Sequence, residues 1–245
     1  MSGHSKWATI KRKKGALDAK RGKMFTKLIK ELTIAAREGG GDPNANPRLR
    51  LAVDNAKAAN MPQDNIERAI KKATGELEGV TYHELTYEGY GPAGVAVLVE
   101  VATDNKNRIV AEVRHLFSKY GGSMGETGSV SWMFNRKGVI TLPKQGQSED
   151  DIMELILDAG AEDLQPEEEF FEIQTPLESF ESVRKAIADK KLSIENASLH
   201  WIAKNTLPVS GEEAEKVMRL IEALEDNDDV QNVYSNADID VSSIN

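Results

Sequence analysis

The residues best suited to chemistry in this chain are cationic and gathered near its start. Lys6, Lys11, Arg12, Lys13 and Lys14 form a run interleaved with Trp7 and Ile10, and Lys20, Arg21, Lys23, Lys27 and Lys30 extend it. Ammonium and guanidinium groups neutralise phosphates and release condensed counterions, so a dense cluster of one sign points to a polyanion. Trp7 adds a ring that can stack on an unpaired base or pack into a small core. The run carries no code for base edges, so DNA and RNA both stay open. The plainer alternative is a solvated basic face with no partner.

Other groups offer less. Gly89-Tyr90-Gly91-Pro92-Ala93-Gly94 spells a dinucleotide-type glycine motif, but it precedes an apolar run where such a site would follow a strand and open a helix. It reads as a tight turn. A second glycine-rich stretch spans residues 121–128 and lacks the Lys-Ser/Thr pair of a phosphate loop. It reads as a helix-to-strand connection or, functionally, as a mobile contact loop of Gly122, Ser123, Met124 and Gly125 with Met124 at its tip. His4, His83, His115 and His200 are scattered, and the acidic groups around Asp150 and Glu167 lack the pattern of a calcium loop. With no cysteine and no nucleophile elbow, neither a catalytic constellation nor a metal, cofactor or small-molecule substrate is expected.

The charge is sharply divided. Residues 1–78 hold 17 Lys and Arg against 9 Asp and Glu, a net +8, which leaves −17 on residues 79–245 of the overall −9. Separation of this kind suggests a polyanion partner at one end. No apolar stretch is long enough to span a bilayer, so no membrane partner is expected. The start of the chain does not read as a secretory signal, and the expected location is cytoplasmic.

These groups need elements to position them. Over residues 17–37, Phe25, Leu28, Ile29, Leu32 and Ala36 recur at helical spacing, and Lys20, Lys23, Lys27 and Lys30 recur on the opposite face. The helix is therefore expected to pack on one side and carry a lysine stripe on the other. Asn46-Pro47 opens a second helix, with Leu51, Ala52, Ala56 and Ala59 apolar, and Pro62 opens a third, with Ile66, Ala69, Ile70 and Ala73. Beyond residue 79 the period changes. Residues 94–103 read as a buried strand, 105–120 as a helix and 129–134 as an alternating strand. Residues 135–204 then read as strand, helix, strand, strand, helix, strand, a ferredoxin-like order, and a last helix and strand follow over 211–225 and 230–235. The expected fold class is α+β. A basic three-helix domain over 1–78 precedes a split ferredoxin-like domain made of 79–134 plus 205–245. A second ferredoxin-like domain, 135–204, is inserted in it.

Several blocks resemble one family. Gly3-His4-Ser5-Lys6-Trp7, Ile10-Lys11, Ala19-Lys20-Arg21, Phe25 with Lys27, Asn60-Met61-Pro62, Tyr87-Glu88-Gly89-Tyr90-Gly91-Pro92, Thr103-Asp104-Asn105 with Asn107-Arg108, and Gly128-Ser129-Val130 are similar to the YebC/PmpR family over essentially the whole chain. The resemblance implies a helical first domain and two ferredoxin-like domains. It also implies a regulator of gene expression, described in the family either as a DNA-binding transcriptional regulator or as a ribosome-associated translation factor. The expected function is thus non-enzymatic regulation through nucleic acid, either DNA or ribosomal RNA with the ribosome as partner. The alternatives are an acidic protein-interaction scaffold and a hydrolase using an acidic interdomain cleft.

Overall fold

The computed structural model describes residues 17–239, which form an α+β fold with seven helices and ten strands among the described residues. Helix α1 (Leu17–Gly39) ends near Gly40, which takes the left-handed φ of 87°. Asn46 then caps α2 (Pro47–Ala58): its side chain accepts from the Leu49 amide and donates to the carbonyls of Ala35 and Gly40. One asparagine thus closes the end of one helix and the start of the next. Helix α3 (Gln63–Ala73) completes the bundle. Leu32, Ala35 and Ala36 of α1 bury against Leu49, Ala52, Val53 and Ala56 of α2 and Ile66, Ala69 and Ala73 of α3. Leu51, expected on this bundle face, instead packs against the core of the second sheet described below.

The first sheet contains β1 (His83–Tyr90), β2 (Ala96–Thr103), β3 (Ser123–Met124) and β9 (Val230–Ser235), in the order β3-β1-β2-β9 with every neighbour antiparallel. The second contains β4 (Phe134–Pro143), β5 (Asp163–Pro166), β6 (Phe170–Thr175) and β7 (Asn196–Ala203), in the order β5-β6-β4-β7. Helices α4 (Lys106–Lys119) and α7 (Gly211–Glu225) cover the first sheet, and α5 (Glu149–Asp158) and α6 (Phe180–Asp189) cover the second. A short parallel pair, β8 (Leu207–Val209) with β10 (Ala237–Ile239), adds Val209, Ala237 and Ile239 to the core of the first sheet.

The second sheet has the ferredoxin-like arrangement in plain chain order. The first has the same layout with its strands entered differently. Strand β1, which comes first in the chain, takes the place beside β3 that the third strand of such a unit normally fills. The expected strand at residues 129–134 does not form. Ser131–Met133 is one tight helical turn, and Phe134 already opens β4. The reason is local: the Glu88 carboxylate takes the amides of Gly128, Val130 and Ser131, which are then lost to any ladder. Gly91–Val95 closes the β1–β2 hairpin as a turn, with Ala93 and Gly94 at positive φ and the Gly91 amide bonded to the Val95 carbonyl at 2.7 Å.

Strand β2 is buried on both faces, which explains its unbroken apolar run. Val97, Val99 and Val101 face α4 and α7, while Ala96 and Leu98 meet Val130, Phe134 and Tyr234 between the two sheets. The polar member of that seam, Glu100, accepts from the Trp201 indole, the Asn232 amide and the Tyr234 hydroxyl at 2.9–3.1 Å. Burial, followed by the charge of Glu100, pushes the Tyr234 phenol well above its ordinary value.

Candidate nucleic-acid interface

Lys6, Trp7, Lys11, Arg12, Lys13 and Lys14 lie outside the described residues, as do the side chains of Lys20 and Arg21 in the first turns of α1. The other members of the expected stripe are placed, and they face the chain itself. Lys23 Nζ reaches the Asp226 carbonyl and carboxylate, both at 3.0 Å. Lys27 Nζ lies 3.3 Å from the Glu225 carbonyl and 3.4 Å from that of Gln231. Lys30 Nζ donates to the carbonyls of Ala102 and Asp228 at 3.0 and 2.8 Å and to Asp229 Oδ1 at 2.6 Å. All three ammonium protons of Lys30 are thereby used, and the residue is only 5% exposed.

This corrects the expectation of a solvent-facing stripe. The end of α7 presents carbonyls without helical partners, and the acidic turn of Asp226, Asp228 and Asp229 follows it. Cations at the C-terminal end of a helix satisfy both the orphan carbonyls and the dipole. The lysine face of α1 docks there. Asp229 is the hub, since its second carboxylate oxygen accepts from Thr103 Oγ1 at 2.8 Å and from Arg108 at 2.6 Å. Burial pushes the Asp229 carboxyl up, but hydrogen bonds from Lys30, Arg108 and Thr103 and the Lys30 charge outweigh it, leaving the carboxyl below its ordinary value.

The bundle is tied at further points. Arg48 bridges Glu31 of α1 at 2.9 Å and Glu84 of β1 at 2.6 Å. Asp54 pairs with Arg184 of α6 at 2.7 Å. Asn55 exchanges two hydrogen bonds with the backbone of Ala197 on the edge strand β7, occupying part of an edge that would otherwise be open. Cationic surface remains on α3, where Arg68, Lys71 and Lys72 are exposed at i, i+3 and i+4 and form no ion pair among the described residues. That spacing was readable in the sequence but was masked there by the denser run before it.

The glycine-rich stretch is also more constrained than a contact loop. Ser123 and Met124 form β3 and pair with Tyr90 and Gly89 of β1. Met124 is half-buried against the first core, so it is no exposed tip. Gly122 is required because a Cβ there would lie 2.4 Å from the Tyr90 carbonyl oxygen, and one on Gly89 would lie 2.6 Å from that of Ser123. Gly125 follows, its amide bonded to the Glu88 carbonyl at 2.8 Å. The Glu88 carboxylate below this stretch went unnoticed in the sequence, since one glutamate in a strand carries no visible mark. Burial raises its pKa, but the Gly128, Val130 and Ser131 amides and the Ser131 hydroxyl together hold it below the ordinary value.

Comparison with known proteins agrees with this architecture. Residues 5–76 match the family description "TACO1/YebC protein N-terminal domain" and residues 82–237 match "TACO1/YebC second and third domain". A probable transcriptional regulatory protein of Chlorobaculum parvum is 60% identical over 99% of this chain and 97% of its own length. One of Desulfatibacillum aliphaticivorans is 60% identical over 98% and 97%. The crystal structure of a conserved hypothetical protein from Aquifex aeolicus superposes with a TM-score of 0.85 at 49% identity, covering 91% of this chain and 92% of that one. With both parts of the family matched in sequence and the fold matched in space, the chain belongs to the TACO1/YebC family.

Proposed function

We propose that this chain is a non-enzymatic regulator of gene expression that binds nucleic acid through the basic N-terminal part and acts in the cytoplasm. The observation that carries the reading is the division of charge, +8 on residues 1–78 against −17 on the rest. Among the described residues, docking on the acidic turn after α7 accounts for Lys23, Lys27 and Lys30. The run from Lys6 to Lys14 lies outside the described residues, and together with the exposed Arg68, Lys71 and Lys72 it supplies the phosphate contacts in this reading. The relatives named as probable transcriptional regulatory proteins support a regulatory role. The acidic remainder of the chain favours a target gripped at one end, such as a ribosomal RNA element, over a long duplex lying against the whole molecule, because like charges repel within about 8–10 Å at physiological salt.

The test is sequencing of nucleic acid crosslinked to the protein in cells. Enrichment of ribosomal RNA assigns the chain to translation, enrichment of promoter DNA assigns it to transcription, and no enrichment above an unrelated acidic protein overturns the reading. In vitro, changing Lys11, Arg12, Lys13 and Lys14 to Ala is expected to weaken binding and flatten its salt dependence. Each lost contact should remove roughly 0.7–0.9 from the log–log slope.

A further inference from the structure

Trp132 is 65% exposed, the highest value among the large apolar side chains of the described residues, and Tyr90 nearby is 38% exposed. Both are fixed from beneath. The indole Nε1 of Trp132 and the hydroxyl of Tyr90 each donate to the Ser129 carbonyl oxygen at 3.1 Å. That carbonyl is itself held, because Ser129 sits in the turn that the buried Glu88 carboxylate gathers through the Gly128, Val130 and Ser131 amides at 2.7–2.8 Å. On the other side, Lys204 Nζ donates to the Trp132 carbonyl at 2.6 Å, and the Lys204 amide bonds to the Met133 carbonyl. The polar ends of the two rings are satisfied inside the molecule, and what remains outside is aromatic surface beside an ammonium group.

We propose that Trp132 and Tyr90 form a stacking platform for an unpaired nucleobase, with Lys204 beside it for the adjoining phosphate. The proposal rests on the nucleic-acid reading above and adds a second contact on the acidic part of the chain. Aromatic rings held flat at a surface next to a cation are the ordinary means of binding single strands, since every base has a π face. A protein partner fits less well. The other large apolar side chains exposed among the described residues, Met24, Leu77, Val80, Leu157 and Leu177, lie elsewhere in the sequence, and the neighbouring Glu126, Thr127, Gly128, Lys204 and Asn205 are exposed and polar or small. A protein hot spot needs a desolvated apolar centre that this surround does not provide. Glu88 is a positioning residue: it touches no ligand and acts by holding the turn that orients Trp132.

The test uses the full chain with a short single-stranded RNA and the same RNA annealed to its complement. Trp132→Ala is expected to weaken single-strand binding by roughly tenfold, while Trp132→Phe, which keeps a ring, should stay within about threefold of the parent. Duplex binding should be the same in all three chains. Because the side chain is exposed, an unchanged melting temperature is expected and separates lost stacking from lost folding. Glu88→Gln should weaken the single strand and leave the slope against salt unchanged, since no phosphate contact is removed. If the parent binds both RNAs and Trp132→Ala binds them equally well, the platform is wrong and the nucleic-acid reading stands. If the parent binds neither, both fail. Equal weakening of single strand and duplex by Trp132→Ala overturns stacking on an unpaired base. A Trp132→Ala chain that keeps its RNA affinity but loses a protein partner assigns the platform to protein and overturns the proposal.

Discussion

Lys30 and Asp229 carry opposite charges into a site where neither can be solvated, with side-chain exposures of 6% and 9%. Removing one partner of a buried pair leaves the other uncompensated, which costs about 3–5 kcal/mol. Asp229 keeps Arg108 and Thr103, so Lys30→Ala is expected near the lower end, at about 3 kcal/mol in denaturant unfolding. Lys23→Ala breaks a pair exposed to 42% and 75% and should cost less than about 1 kcal/mol. Equal effects of the two changes would contradict the buried-hub account. Titration tests the same residues. Asp229 and Glu88 both have folded values below their ordinary 3.8 and 4.5. A carboxyl whose value is lower when folded contributes stability that is complete above its unfolded value and is lost as pH falls through the folded one. Unfolding free energy should therefore hold steady down to about pH 5 and fall below about pH 4.5, and the fall should be shallower in Glu88→Gln. A parent and variant with superimposable acid profiles would remove Glu88 from the account.

At the scale of elements, the stretch from Gly121 to Gly128 shows how close approach decides which residue types fit. The two-residue strand β3 meets β1 so tightly that a methyl group on Gly122 would strike the Tyr90 carbonyl oxygen, a backbone atom with no freedom to turn aside. Gly122→Ala should cost about 1–3 kcal/mol through displaced backbone. Gly125→Ala would meet Ser129 Oγ, a side-chain atom that can rotate, and is expected to cost less. A melt in which Gly125→Ala is the worse of the two would refute this assignment. Met124→Ala should lower stability by about 1–2 kcal/mol, below the range for a fully buried methionine, because the side chain is only partly covered. A loss of function in that variant without a loss of stability would restore the mobile-tip reading.

The whole molecule is held by contacts between parts distant in sequence. The bundle touches the first sheet's unit through the lysines of α1 and the second sheet through Asp54, Asn55 and Leu51 of α2. Both contacts are polar at their edges, and one of them contains the Lys30–Asp229 pair. The triple change Lys23→Ala, Lys27→Ala and Lys30→Ala should loosen the α1 side while leaving α1 helical, since alanine favours helix and the opposite face does the packing. Solution scattering should then show a larger radius of gyration, with helicity by circular dichroism unchanged. A compact profile identical to the parent's would mean that the α2 contacts alone hold the bundle. The salt slope of nucleic-acid binding should change little in this variant, because the three ammonium groups are engaged within the chain.

What the sequence determined by itself was local. The apolar face of α1, the burial of β2 implied by its valine run, a tight turn within Gly89–Gly94 and the plain order of the second sheet all follow from period and short connections, which neighbouring residues set without outside help. Periodicity also put Lys23, Lys27 and Lys30 opposite the bundle-facing side, and there its information ended. Whether that opposite side meets water or another part of the chain depends on Asp226, about 200 residues away, and on the carbonyls at the end of α7. The same holds for β1, whose place beside β3 comes from chain order being set aside when the sheet closes. It holds too for Leu51, which leaves the expected bundle face for the second core. Glu88 and Trp132 show no pattern in one dimension, because a single residue has no period. Their roles arise only when folding brings three amides to one carboxylate and two rings to one carbonyl. Spacing along a chain fixes which side chains share a face, and the burial of complementary groups from remote segments decides what that face meets.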